Sequence, residues 1–83
     1  FFDSKAKSSR NYIGKINFRD YKEYLKIKQL LNIDVKIFFL LFDYNKKLKE
    51  IFLSNINVGN IDVTKAWDGN KLIDLSNNLT QLY

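Results

Sequence analysis

An acidic residue and a lysine stand one residue apart near the start of the chain, as Asp3 and Lys5. They follow the apolar pair Phe1 and Phe2, which is typical of the end of a buried strand. Because alternate residues of a strand point to the same side, we expect the carboxylate and the ammonium to enter one site together. A carboxylate can bind a hard divalent cation that neutralises a scissile phosphate, and a lysine can position or help to deprotonate the attacking water. The pair therefore suits phosphodiester hydrolysis.

The same spacing occurs twice more, at Asp20 and Lys22 and at Asp34 and Lys36. The first of these pairs falls on a predicted helix, where residues two apart point in different directions, so we interpret it as structural. The second pair opens a predicted strand and can share a face, but the order of the elements around it fits a catalytic strand less well. The spacing alone is not specific, and only its setting distinguishes the pair near the start of the chain.

Three elements are predicted to form that setting. A helix is predicted from Phe18 to about Asn32, because apolar residues recur at steps of three and four, Asn17 suits an N-cap and Asn32 suits a stop. Residues 35–42 predict a central strand covered on both faces, and residues 48–53 a second strand that pairs back on it. The sequence therefore predicts an α/β fold, a small mixed sheet with a helix followed by a buried strand and a β-hairpin.

The remaining segments carry weaker signals. Residues 8–17 predict a basic loop, residues 71–75 a short strand, and the last eight residues a frayed helix ending at Tyr83. Trp67 is interpreted as the cap of a small core rather than as a ligand-binding side chain. We expect one domain over residues 1–83. The chain opens on Phe1 and contains no Met, so we also expect it to be a fragment of a longer chain.

The order of strand, basic loop, helix with Tyr21 and Tyr24, buried strand and hairpin resembles the second half of the PD-(D/E)XK nuclease core. This fold is shared by many restriction enzymes and Holliday junction resolvases. The resemblance covers roughly residues 1–53, in which Asp3 and Lys5 match the acid and the lysine of the (D/E)xK motif. It implies that the chain is part of a larger restriction-endonuclease-like core, that Asp3 is a metal ligand and Lys5 a catalytic lysine. It also implies that a helix side chain near Tyr21 or Tyr24 lines the site.

The family's preceding helix, its first strands and their metal-binding acid have no counterpart in this chain. The resemblance therefore implies that an upstream segment of the same protein, or a homodimer partner, completes the site. We predict a magnesium-dependent endonuclease that acts on nucleic acid, with DNA favoured over RNA.

Cysteine and histidine are both missing from the chain. Their absence excludes the usual zinc sites, thiol nucleophiles, disulfides and Ser-His-Asp triads within it. A metal must then bind oxygen ligands, so Mg²⁺ or Mn²⁺ is the expected cofactor. The longest apolar run, residues 37–42, is too short to cross a bilayer and no signal peptide opens the chain. We therefore expect no membrane partner and a cytoplasmic or otherwise intracellular location.

The net charge of +5 is concentrated at one end of the chain. Residues 1–33 hold eight Lys and Arg against three Asp and Glu, whereas residues 54–83 hold two against three. This asymmetry indicates contact with phosphates, although the abundance of Lys, Ile and Asn is also typical of an AT-rich genome. The predicted nucleic-acid contacts are Lys7, Arg10, Lys15, Arg19 and Tyr21.

Two other functions stay open. The chain can be a non-catalytic nucleic-acid-binding module that uses the same basic residues. It can also be a protein-interaction module, in which the strand at residues 48–53 lies at the edge of the sheet and accepts a partner strand. Lys47 and Lys49 would then protect that edge against uncontrolled pairing.

Overall fold

A computed structural model describes residues 1–56, 62–65 and 69–83 of the chain. Within these ranges it contains one α-helix and seven strands. In chain order they are β1 (Phe2–Lys7), β2 (Lys15–Asn17), α1 (Phe18–Leu31), β3 (Lys36–Phe42), β4 (Leu48–Asn55), β5 (Asp62–Lys65), β6 (Lys71–Asp74) and β7 (Thr80–Gln81).

The strands form two sheets. A four-stranded sheet has the order β1-β3-β4-β7, and a three-stranded sheet has the order β2-β6-β5. β1 runs parallel to β3, and the chain between them passes through β2 and α1. All other pairs are antiparallel, including the β3–β4 hairpin. The predicted α/β fold with a mixed sheet, a helix, a buried strand and a hairpin is confirmed.

Helix α1 begins and ends where its capping residues are placed. The side chain of Asn17 accepts a hydrogen bond from the backbone N–H of Asp20 at 2.8 Å, which satisfies one of the unpaired donors of the first turn. Asn32 has φ 51° and ψ 47°, the left-handed conformation that commonly terminates helices. Tyr21 and Tyr24 are the buried residues of the helix, whereas Phe18 and Leu31 at its ends are exposed. The predicted apolar stripe is therefore confirmed for the middle of the helix.

One face of the four-stranded sheet, which we call the inner face, holds the core. Ile37, Phe39 and Leu41 alternate along β3 at no more than 4% exposure. They form one cluster with Tyr21 and Tyr24 of α1 and with buried residues of the second sheet. The intervening residues of β3 are only half-buried. The prediction that β3 is covered on both faces is therefore wrong for the described residues, because the helix belongs to the core on the inner face alone.

The edge of the sheet also differs from the prediction. β4, which contains the predicted residues 48–53, lies between β3 and β7, and Leu53 is paired with Thr80. It is therefore not the edge strand. Among the described strands the two edges are β1, which pairs with β3 alone, and β7, which pairs with β4 alone.

Residues 8–17 are more ordered than the predicted basic loop. A short 3-10 turn spans Arg10–Tyr12, where the Ser9 hydroxyl accepts the N–H of Asn11 at 3.2 Å, and β2 follows it. Ile13 and Ile16 are buried and draw the segment into the core. These two isoleucines were the sequence signal against a solvated loop.

The C-terminal segment also corrects its prediction. The last eight residues form a 3-10 turn at Ser76–Asn78 and the strand β7 instead of a frayed helix. A carboxylate oxygen of Asp74 accepts the N–H of Ser76 at 2.9 Å, and the backbone of Tyr83 pairs with Ile51. So short a segment gains little from a helix, whose first turn is costly to form, whereas the strand pairs with an existing sheet.

The predicted strand at residues 71–75 is present as β6. β5 is an element for which no prediction was made. The interpretation of Trp67 lies outside the described residues. Among the residues that the structure describes, no helix is both long and apolar enough to span a membrane.

Candidate functional site

Strand β1 carries the proposed acid and lysine on one side. Asp3, Lys5 and Lys7 are the half-buried residues of the strand and alternate with exposed ones. Their register partners on β3 are residues of the buried inner face; Asp3 is aligned with Ile37 and Lys5 with Phe39. The predicted common face of Asp3 and Lys5 is confirmed. Because β1 is an edge strand of the sheet, these polar groups lie at the rim of the core and not inside it.

The carboxylate of Asp3 is tied to helix α1. Its Oδ2 accepts a hydrogen bond from the Tyr24 hydroxyl at 2.5 Å, and its Oδ1 accepts one from the backbone N–H of Ser4 at 2.8 Å. The Tyr24 bond, the Ser4 bond and the nearby Lys5 ammonium lower the pKa of Asp3, although burial opposes them. Asp3 is therefore ionised at neutral pH.

The same contact determines the state of Tyr24. Burial raises the pKa of the Tyr24 phenol well above its ordinary value, and the hydrogen bond to the Asp3 carboxylate raises it further. The phenol stays protonated at neutral pH and acts as a donor. Tyr24 thus fixes the orientation of the Asp3 carboxylate. That a helix side chain near Tyr21 or Tyr24 lines a catalytic site stays a prediction.

Lys5 is held by a second carboxylate. Its Nζ lies 2.6 Å from Oδ2 of Asp20, and the two side chains are each 26% exposed. The ammonium also lies 5.7 Å from the centroid of the Tyr24 ring, within the range of a cation–π contact. The acid and lysine of β1 are therefore accompanied by an acid and a phenol from α1.

Asp20 is the residue that the sequence interpretation missed. The sequence predicts that it lies on the helix; the structure confirms this and places it in the first turn. Its contact with Lys5 depends on which side of α1 faces β1, and this is a tertiary relation. The available signal was the placement of an acid and a tyrosine four residues apart, Asp20 and Tyr24, which puts them on one side of a helix.

Lys7 continues the row toward the carboxyl end of β1. Burial lowers the pKa of its ammonium, the neighbouring Lys5 lowers it further, and Asp20 opposes both effects. Two lysines and two carboxylates thus share the space between β1 and the first half of α1. The group is polar and reachable from solvent.

Asp3 and Asp20 are the residues of this group that can hold a metal ion. Carboxylate oxygens are the ligands that Mg²⁺ and Mn²⁺ prefer. Each oxygen has two lone pairs, so those of Asp3 keep one free after accepting the Tyr24 and Ser4 bonds. The donor set fits a hard cation in kind but is small in number. No cluster of three or more His, Cys, Asp or Glu side chains suited to a metal occurs in the described part of the chain.

The predicted nucleic-acid contacts do not form one surface. Arg10 is exposed and donates to Glu50 of β4, so it lies by the β3–β4 hairpin. Arg19 lines a separate depression at the start of α1 together with Lys71. Lys15 is half-buried on β2, aligned with Asp74 of β6.

Lys7 alone of the predicted contacts is adjacent to Asp3 and Lys5 on β1. Tyr21 is 4% exposed and belongs to the core. Its ring is therefore not offered to a ligand in this conformation, because it packs against the inner face of the sheet.

Comparison with known proteins adds no relative. No protein-family model matches the chain, and neither a curated protein nor a solved structure matches it. The similarity to PD-(D/E)XK nucleases therefore stays a prediction carried by Asp3, Lys5 and the order of the elements around them.

Proposed function

We propose that the chain contributes to a metal-dependent nuclease that hydrolyses phosphodiester bonds of nucleic acid. The observation that carries the proposal is the group on the inner side of β1. Asp3 is ionised there, and Lys5 lies two residues away with its ammonium 2.6 Å from the carboxylate of Asp20. Metal-dependent hydrolysis of a phosphodiester uses a ligand for a hard cation and a positive group beside the phosphate, and the carboxylate of Asp3 and the ammonium of Lys5 support these two roles.

Each residue has a distinct role in this proposal. Asp3 binds Mg²⁺ or Mn²⁺, oriented by the Tyr24 hydroxyl, and Asp20 is available as a second oxygen ligand. The ion, when bound, neutralises negative charge on the scissile phosphate. Lys5 positions the attacking water and Lys7 contacts a phosphate oxygen. Because both lysines project from the same side of β1, they approach the phosphate from one direction.

The partners of this site are part of the same proposal. DNA is favoured over RNA, the compartment is intracellular, and the chain is one portion of a restriction-endonuclease-like core. A further metal-binding acid comes from an upstream strand or from a homodimer partner. The two carboxylates of the described site leave coordination positions that such an acid and water can fill.

A second candidate function is a non-catalytic nucleic-acid-binding module. It is favoured by the fact that Asp3 and Lys5 each already have a partner on α1, Tyr24 and Asp20. In that case the four residues lock the edge strand to the helix, and the cations alone contact phosphates. A protein-interaction module is the third candidate, and it predicts weak binding of nucleic acid or none.

The test is cleavage of labelled single- and double-stranded DNA and RNA by the full-length protein, with Mg²⁺ and with EDTA. Asp3→Asn keeps the shape of the side chain but removes its charge, so we expect cleavage to fall on the order of 100-fold or more. Asp34→Asn is the matched control, because that carboxylate is 83% exposed and pairs with Lys28. Its variant should cleave as the unaltered protein does.

The outcomes separate the three candidates. Cleavage that requires Mg²⁺ and is lost only in Asp3→Asn supports the nuclease. Salt-dependent binding without cleavage, unchanged by Asp3→Asn, identifies the binding module. If the protein neither cleaves nor binds nucleic acid, the protein-interaction module is the remaining candidate.

A further inference from the structure

The turn of the β3–β4 hairpin presents an aromatic ring to solvent. Tyr44 is 94% exposed, the largest exposed fraction among the exposed large hydrophobic residues of the described chain. The turn that holds it is ordered, because a carboxylate oxygen of Asp43 accepts the backbone N–H groups of Asn45 at 2.8 Å and Lys47 at 3.0 Å. The backbone N–H of Asp43 also donates to the carbonyl of Lys47 at 2.9 Å. An exposed ring on an ordered turn is a preformed surface for stacking.

A groove runs beside this ring at the carboxyl ends of β1 and β3. It has a volume of about 620 Å³, which is in the range of ligand-binding pockets. We call it the hairpin groove, and its lining includes Arg10, Phe42, Tyr44, Lys47, Leu48 and Lys49. Apolar and cationic side chains therefore line one depression, together with the carboxylate of Asp43.

The charge of the hairpin groove favours an anion. Lys47, Lys49 and Arg10 contribute three cations to its lining. One carboxylate, that of Asp43, also lines the groove, and Glu50 is paired with Arg10. Asp43 caps the turn, and Glu50 accepts from Arg10 and, at 2.7 Å, from the side-chain amide of Gln81. The two lysines therefore outnumber the one lining carboxylate, and this excess of positive charge favours an anionic ligand.

We propose that the hairpin groove binds a single-stranded segment of nucleic acid, with a base stacked on Tyr44 and the adjoining phosphates contacted by Lys47 and Lys49. An aromatic ring between cations matches the alternation of base and phosphate along such a strand. A duplex is disfavoured because its base faces are already stacked on one another. The inference rests on the proposed function in taking nucleic acid as the ligand, and it specifies an unpaired segment.

The position of the groove relative to β1 fits this assignment. Ser8, the residue after β1, lines the groove, and Lys5 precedes it by three residues on the same strand. At about 3.3 Å for each residue of a strand, this places the groove roughly 10 Å from Lys5 along β1. Ser8 therefore marks the side of the groove that lies toward the Asp3–Lys5 site.

The experiment measures fluorescence anisotropy of a labelled single-stranded oligonucleotide and of its duplex, in EDTA so that cleavage does not interfere. Tyr44→Ala should weaken binding of the single strand by about 5- to 100-fold, as expected for loss of one stacked base. Duplex affinity should not change. Tyr44→Phe keeps the ring and should bind as the unaltered protein does. Tyr83→Ala removes another exposed tyrosine, 68% exposed, and serves as the matched control.

The cations are tested in the same assay. Replacing both Lys47 and Lys49 by Gln should reduce the slope of log affinity against log salt by about 1.4, because each phosphate contact to a single strand contributes about 0.7. Unchanged affinity in Tyr44→Ala, equal losses in Tyr83→Ala, or an equal loss for the duplex would overturn the inference.

Failure of the groove and failure of the nuclease proposal can be told apart. Binding that depends on Tyr44, without any Mg²⁺-dependent cleavage, supports the proposal for the hairpin groove and rejects the nuclease proposal. If cleavage depends on Asp3 but binding is unaffected by Tyr44→Ala, the nuclease proposal is supported and the proposal for the hairpin groove is rejected.

Discussion

The two faces of the four-stranded sheet are both apolar but are packed differently. On the inner face, Ile37 and Phe39 have 0% exposure. On the outer face, Phe38 and Leu40 of the same strand are only half-buried, and Phe2 of β1 is 63% exposed while it stacks on Phe38 at 5.6 Å. Adjacent residues of one strand thus differ in how much apolar surface they remove from water.

This difference places most of the folding free energy on the inner face. Each apolar side chain that is fully buried there stabilises the fold by about 1.5–3 kcal/mol, and a half-buried one contributes less. The polar side chains of Asp3, Lys5 and Asp20 are only partly buried and lie at the margin of the inner face. Function is therefore proposed at the boundary of the stable region, where side chains are positioned by packing but remain open to solvent.

Substitution of adjacent phenylalanines gives the largest contrast between the faces. Phe39→Ala should lower the free energy of unfolding by about 3–5 kcal/mol, since it removes a fully buried ring, whereas Phe38→Ala should lower it by about 1 kcal/mol. Urea denaturation followed by circular dichroism measures both losses. The first loss approaches the total stability of a small domain.

A milder pair of variants tests the contrast without unfolding the protein. Ile37→Val should cost about 1 kcal/mol, and Ile51→Val, on the outer face of β4 opposite Leu40, distinctly less. Equal losses of unfolding free energy in the two variants would show that the outer face is also covered in solution. The two faces would then not differ in packing.

The sequence predicted the elements of this architecture better than their contacts. Helix α1 was predicted with its capping residues, Asn17 and Asn32, because capping and periodicity are properties of neighbouring residues. The burial pattern of β3 was not predicted, because a continuous run of apolar residues does not indicate whether one or both faces of the strand are covered. β7 was mistaken for a helix, since its pairing with Leu53 joins segments far apart in the chain.

The candidate site shows the same division. The common side of Asp3 and Lys5 follows from the period of a strand and was predicted. The contact of Asp20 with Lys5 was not, and the resemblance implied only that a helix side chain near Tyr21 or Tyr24 lines the site, because these contacts depend on how α1 is rotated about its axis relative to β1. The exposed ring of Tyr44, the proposed stacking surface, was also not predicted, since the residues beside a tyrosine in the sequence do not show whether its ring is buried or exposed.

Removal of one hydroxyl tests whether the rim of the inner face is held by polar contacts. Tyr24→Phe keeps the buried ring but deletes the donor to Asp3, and we expect the free energy of unfolding to fall by about 1 kcal/mol. The value is below that of a fully buried bond to a charge, because water can replace the donor at half-buried Asp3. Tyr44→Phe, with its hydroxyl in solvent, is the control for this thermal or urea measurement. A loss no larger than that of the control would mean that the Asp3–Tyr24 contact does not stabilise β1.

The smallest expected effect is the pH dependence that this contact gives to stability. The Tyr24 and Ser4 hydrogen bonds lower the pKa of Asp3 in the folded chain relative to its unfolded value of about 4. The unfolded state therefore binds the proton more readily, so the contribution is fully present above pH 4 and is lost as the pH falls through the folded pKa. Unfolding free energies measured between about pH 2 and 6 should fall less steeply in Asp3→Asn than in the unaltered chain. Asp34→Asn, at an exposed carboxylate, should keep the original slope. If the two variants change the slope equally, the ionised Asp3 is not specifically stabilised at the rim, and its proposed role as a metal ligand loses this support.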